Sequence, residues 1–217
     1  MRLAVAVTMA ALGAMGQTTA PLPANYRVVL DNGLVQVQRV HYGPLEFVPM
    51  HDHPAVATVL VYLNDSGVVD IAHEGGELIH RPPTHAGAFR IAPGAFERHS
   101  IRNESDMPSD FYRIELKQLP GDALHGEFRG PAAAKPLMPG TTIAYDNPRL
   151  RIERIVCAAN TRCDIAADAA PSVLVRISDE QPRAGVPPLA SWVRANETVY
   201  VEASRESEYV RVLLPTP

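Results

Sequence analysis

The chain has 217 residues, with 20 Lys+Arg against 24 Asp+Glu, 46% hydrophobic residues, two Cys and one Trp. That length holds one large domain or two small ones, and it buries a full apolar core without disulfide or metal staples. A net charge of −4 argues against the basic stripe of a phosphate-tracking nucleic-acid binder, and the balance of charged and apolar residues argues against a disordered chain.

The first segment, MRLAVAVTMAALGAMGQTTA, places Arg2 ahead of an apolar stretch running from Leu3 to about Met15, followed by small and polar residues. This is the anatomy of a secretory signal peptide. The stretch is shorter than the ~20 apolar residues of a membrane helix. Ala14-Met15-Gly16 offers small residues at the positions a signal peptidase reads, so residues 1–16 are expected to be removed before Gln17. A buried amino-terminal helix is the competing reading, and Gly13, Gly16 and Pro21 work against it. The mature chain is therefore expected to be soluble and periplasmic or secreted, without a membrane anchor.

Twenty Pro, scarce helix-forming runs and only two Lys (Lys117 and Lys135) point to strands and turns. The first strand signal follows the turn Asp31-Asn32-Gly33, where Leu34 to Val40 alternates apolar and polar residues. A second such signal covers Phe47 to His53. In a strand, residues two apart share a face, so His51 and His53 point together while Asp52 points away. Pro54 keeps His53 in the extended region. Thr58, Leu60 and Tyr62 then alternate onto one face of the next strand.

Much of this pattern recurs later in the same order. Asp31-Asn32-Gly33-Leu34-Val35-Gln36-Val37-Gln38-Arg39-Val40 matches Asp146-Asn147-Pro148-Arg149-Leu150-Arg151-Ile152-Glu153-Arg154-Ile155. Thr58–Asp65 matches Ser172–Asp179, and Phe111–Leu116 matches Tyr209–Leu214. Three matches in one order imply two copies of an all-β unit. The expected layout is residues 22–118 for the first copy, 119–140 for a Pro- and Gly-rich linker, and 141–217 for the second. Cys157 and Cys163 flank a short polar turn in the second copy. An oxidising compartment makes a bridge between them plausible, with a stabilisation of ~2–3 kcal/mol at most for so short a loop, and two free buried thiols are the other possibility.

The eight His are 41, 51, 53, 73, 80, 85, 99 and 125, all ahead of the second copy. Gly43 precedes His51-x-His53, and Gly87, five residues, Pro93-Gly94, then His99 and Asn103 follow at the separation expected for neighbouring strands. These two stretches resemble the paired motifs of the cupin superfamily. The resemblance covers roughly residues 25–117, and through the repeat it implies a bicupin with two tandem jelly-roll barrels and very little helix. It also implies a metal site at His51, His53 and His99. Three departures stand out. The spacer after Gly43 is long, one extra residue separates Pro93 from His99, and the motif's Glu falls at Ala57 or Thr58. Glu97 and Glu115 are poor substitutes by strand parity or distance.

Three neutral imidazoles leave the full charge of a divalent ion uncompensated and favour an anionic ligand. Imidazole suits Zn, Cu, Fe and Ni about equally, and the cupin resemblance points first to Fe or Mn, so one divalent metal of open identity is expected. Thr58 and Tyr62 are candidate ligand-contacting hydroxyls. His41, His73, His80, His85 and His125 are assigned to surface or loops, with His80 and His85 near the pocket mouth. In the second copy the positions matching the His pair fall at Ala166 and Asp168, or at Ile165 and Ala167, so that unit is expected to be a degenerate scaffold. No acid–base pair, nucleophile triad or phosphate loop is recognisable. The leading expectation is an exported metal-binding protein acting on a small anionic organic substrate, of oxygenase or isomerase type. The alternative is a non-catalytic protein that binds a carboxylate or sugar. A structural role through a homodimer is the third.

Overall fold

The computed structural model describes residues 21–120, 124, 126–177 and 189–214. The segment read as a signal peptide, His125 and the last two residues of the second repeat match lie outside them. The first unit contributes β1 (Tyr26–Asp31), β2 (Val35–Tyr42), β3 (Phe47–His53), β4 (Val56–Tyr62), β5 (Val69–His73), β6 (Leu78–Arg81), β7 (Phe89–Ala92), β8 (Glu97–Asn103), β9 (Ser109–Pro120) and β10 (Phe128–Gly130). The second contributes β11 (Gly140–Asn147), β12 (Leu150–Cys157), β13 (Thr161–Ile165), β14 (Ser172–Arg176), β15 (Ala190–Val193), β16 (Val199–Ala203) and β17 (Ser207–Leu213). No helix occurs among the described residues.

The repeat is visible in the topology. One sheet runs β1-β2-β9-β4-β7-β10 and its counterpart runs β11-β12-β17-β14-β15, with matching order over five strands. Both begin with the same device. Asn32 Oδ1 accepts from the amides of Leu34 (2.8 Å) and Val35 (3.0 Å), and Asn147 Oδ1 accepts from those of Arg149 and Leu150, both at 2.8 Å. An asparagine that satisfies two turn amides sets the register of the hairpin that follows. Each hairpin also carries a register shift, between Val28 and Leu30 in one and between Ile143 and Tyr145 in the other. The opposing sheets differ: β3-β8-β5-β6 in the first unit and, among the described residues, β13-β16 in the second. The stretch expected to be linker contains β10, which pairs with β7 and extends the first sheet.

The two larger sheets pack against each other. Val35, Val37, Val59, Val61, Ile114 and Leu116 from the first meet Leu150, Ile152, Val173, Val175, Val210 and Val212 from the second in one buried cluster. Each such side chain stabilises the fold by about 1.5–3 kcal/mol relative to exposure. This explains the largely apolar run of β4: Ala57, Val59 and Val61 face the second unit, and Leu60 and Tyr62 face the lumen of the first. A polar tie crosses the same region: Arg154, paired with Glu208, donates through Nη2 to the carbonyls of Gly87 (2.9 Å) and Pro131 (2.7 Å). Gly87 has φ +82°, and a Cβ there would lie 2.6 Å from the Glu208 carboxylate, so the position requires glycine.

In the second unit a disulfide joins Cys157 of β12 to Cys163 of β13, with Cα atoms 5.6 Å apart. The core around it is apolar: Ile155, Ile165, Leu174, Val193, Ala203 and Tyr209.

Candidate metal centre

β3 and β8 are antiparallel neighbours in which His51 lies directly opposite His99, and His53 opposite Glu97. A register shift between Val48 and His51 realigns the strand just ahead of the pair. All three histidines are buried, at 1%, 0% and 5% exposure, and each offers a ring nitrogen such that the three lie within 4.8 Å of one another. Asp52 points the other way and accepts from Arg98 Nη1 at 2.8 Å. Two motif residues that bear no ligand atom hold the frame. Asn103 donates to the carbonyls of Gly43 and Met107, both at 2.8 Å. Gly94 lies so close to Val56 and Ala57 that a Cβ would meet their backbone at 2.2–2.6 Å.

The protonation states follow from the partners. The Pro49 carbonyl accepts from His51 Nδ1 at 2.8 Å, which leaves Nε2 with its lone pair facing inward, where the Tyr26 hydroxyl donates to it at 2.9 Å. Neither ring nitrogen of His53 has a hydrogen-bond partner, nor does His99 Nδ1. Burial pushes all three imidazoles below their ordinary pKa. His99 falls to about 2 through burial and then the neighbouring His53 and His51, and His53 falls further through burial and the Arg113 charge. Buried nitrogens without partners are costly unless something else satisfies them. Three neutral imidazoles with inward lone pairs are a donor set that fits a divalent transition metal.

Glu115, a poor substitute for the motif's carboxylate on the sequence, is not part of the ligand cluster, but it places Oε1 3.5 Å from His53 Nδ1 and accepts from Arg113 Nε at 3.1 Å. Arg113 in turn reaches Glu97 at 3.2 Å. Burial opposes the Arg113 charge, but Glu97 and Glu115 outweigh it and its pKa is raised. The cluster is thus three imidazoles bordered by a Glu–Arg–Glu system in which Arg113 and Glu115 are buried and Glu97 is partly exposed. The alternation Phe111-Arg113-Glu115, all buried on β9, was the signal available for it. Tyr26 and its neighbour Tyr42, whose hydroxyls are 2.5 Å apart, were likewise missed. Burial raises both phenols, Tyr42 to about 12.

A cavity of about 290 Å³ inside the first barrel is lined by His99, Tyr26, Tyr42, Tyr62, Arg81 and Arg113, with apolar walls that include Leu60, Ile101 and Phe111. Tyr62 is therefore at the cavity. Thr58 is buried but not among the lining residues; it pairs with Glu115 at the His53 end, and its hydroxyl donates to the Val56 carbonyl at 3.2 Å. His73, assigned to surface or loop, is on β5 opposite His99 and also lines the cavity. β8 is flanked by β3 on one side and β5 on the other, so His99 has a histidine neighbour on each. His41, His80 and His85 pair with Asp110, Asp70 and Asp65 and are exposed, and neither His80 nor His85 lines the cavity. His53 borders a second cavity with Glu115, Gln38 and Leu22.

No family model and no curated protein sequence matches the chain. Solved structures do. The bacterial pirin YhhW from Escherichia coli, in complex with nickel(II), is similar at TM-score 0.54 and 14% identity over 85% of this chain and 83% of that one. AerE from Microcystis aeruginosa matches at TM-score 0.53 and 11% identity over 87% and 96%. A point mutant of salicylate 1,2-dioxygenase from Pseudoaminobacter salicylatoxidans matches at 0.50 and 12% over 83% and 71%. At such identities the likeness is one of fold. The chain has a cupin-type, all-β fold, with a buried cluster of His51, His53 and His99 inside its first barrel.

Proposed function

We propose that the chain binds one divalent transition metal at His51, His53 and His99 and uses that centre to hold a small anionic organic molecule for a reaction of oxygenase or isomerase type. The observation that carries this reading is the convergence of three buried neutral imidazoles, with both ring nitrogens of His53 and Nδ1 of His99 lacking protein partners. A divalent ion there supplies a Lewis acid and an uncompensated positive charge. The nickel(II) complex of the E. coli pirin and the dioxygenase activity named for the salicylate enzyme support the reading at the level of a shared fold.

The chain's own residues do the rest. Pro49 fixes the His51 tautomer, and the Glu115–Arg113 ion pair on β9 lies beside His53. The Tyr26–Tyr42 pair holds a proton at the cavity wall through phenols that stay protonated at neutral pH. The apolar walls exclude bulk water and strengthen electrostatic contacts inside. The disulfide and the apolar leader support placing the mature protein, cut before Gln17, in the periplasm or outside the cell.

Elemental analysis of the purified chain tests the centre. About one transition-metal ion per chain is expected, and His53→Gln should abolish it; a variant that keeps full stoichiometry overturns the assignment. Dioxygen uptake and product analysis with a panel of small carboxylates then separate turnover from capture. A ligand held tightly and recovered unchanged is the result that fits the non-catalytic alternative.

A further inference from the structure

Five arginines are buried among the described residues: Arg39, Arg81, Arg113, Arg154 and Arg211. Four have a carboxylate. Arg39 pairs with Asp110, Arg113 with Glu97 and Glu115, Arg154 with Glu208, and Arg211 lies 3.7 Å from Glu153. Arg81 is the exception. At the end of β6 and 5% exposed, it has no carboxylate within ion-pair distance among the described residues. Its Nη2 donates to the hydroxyls of Ser66 (3.3 Å) and Ser109 (2.9 Å), and its Nε has no partner. The guanidinium lies 5.3 Å from the Tyr62 ring centre and 6.0 Å from that of Phe111.

A guanidinium cannot shed its proton in a protein, so burial without an anion carries a desolvation penalty that two hydroxyls and two aromatic faces offset only in part. Arg81 lines the same cavity as His99 and Tyr26. The other two arginines at that cavity are already neutralised, Arg90 by Glu127 at 2.6 Å and Arg113 as above. The Arg81 charge, without an ion-pair partner among the described residues, therefore faces a space of about 290 Å³ whose lining mixes apolar side chains with tyrosines, histidines and the carboxylates Glu77 and Glu97.

We propose that Arg81 anchors the carboxylate of the bound molecule, so that the ligand class of the first barrel is a small organic monocarboxylate with an apolar or aromatic body. A single carboxylate matches the single unpaired charge and the fork geometry of the guanidinium. This deepens the functional reading above, since it rests on the same cavity, but it does not need the metal.

Calorimetric titration of benzoate and butyrate, each against its neutral amide, into the metal-free full chain at low ionic strength tests it. At least one carboxylate should bind at one per chain, at least tenfold more tightly than its amide. Arg81→Gln should remove that preference, and Arg81→Lys should keep a weakened one. Equal affinity for acid and amide, no binding of either acid, or an undiminished preference in Arg81→Gln overturns the proposal. If Arg81→Gln does not fold by circular dichroism, the wild-type comparison and Arg81→Lys decide. The titration uses the metal-free protein and elemental analysis reads the metal, so the metal assignment and the carboxylate anchor fail separately.

Discussion

Glu115 Oε1 lies 3.5 Å from Nδ1 of His53, while the same oxygen accepts a hydrogen bond from Arg113. The carboxylate beside the cluster therefore balances a buried guanidinium and stands next to an imidazole to which it makes no hydrogen bond.

Glu115→Gln is expected to keep the metal stoichiometry but weaken affinity by roughly tenfold, as for loss of a partner behind a metal-binding histidine. Competition with a fluorescent chelator measures this. Unchanged affinity would show that the contact does not support His53.

Tyr26→Phe should act in the opposite direction on the metal. The Tyr26 hydroxyl donates to the His51 nitrogen that a metal would use, so the apo protein loses a hydrogen bond when the metal enters. Removing the hydroxyl should lower the thermal stability of the apo form by about 1 kcal/mol and tighten metal binding by about fivefold, the same quantity seen from two sides. Weaker binding in the variant would mean that Tyr26 supports the loaded site instead.

Acid should destabilise the metal-free protein through the histidines. Their pKa is depressed in the folded state, so below the unfolded value of about 6.5 the unfolded chain binds more protons, and folding stability falls as pH falls. At pH 5.5 this amounts to about 1.4 kcal/mol for each of His53 and His99 relative to pH well above 6.5. The loss continues toward the low folded-state values. Urea denaturation at pH 7.5 and 5.5, on wild type and on the His53→Gln/His99→Gln double variant, checks it: the variant should lose about 3 kcal/mol less than wild type.

Reduction of the Cys157–Cys163 disulfide, or its replacement by two serines, should lower stability by about 2 kcal/mol, the value for a loop this short. The change lies in the second unit, so metal content should stay the same. Loss of the metal in the Cys157→Ser/Cys163→Ser protein would reveal a coupling between the units that the apolar core does not predict.

Local pattern alone determined a good deal. The Asp-Asn turns at 31–32 and 146–147, the alternation after them and the order of the three matches define two copies of one sheet, because strand periodicity and turn chemistry are properties of a few adjacent residues. The two-residue spacing of His51 and His53 likewise fixes that they share a face. Tertiary structure decided what stands opposite that face. His99 could be inferred from the motif spacing, but the 3.5 Å approach of Glu115, the hydroxyl of Tyr26 and the place of His73 beside His99 depend on which strands neighbour β3 and β8. Sheet order is set by long-range burial, and no window of sequence contains it. The same holds for Arg81: its charge is legible at once, but its lack of a carboxylate appears only when the whole interior is assembled around it.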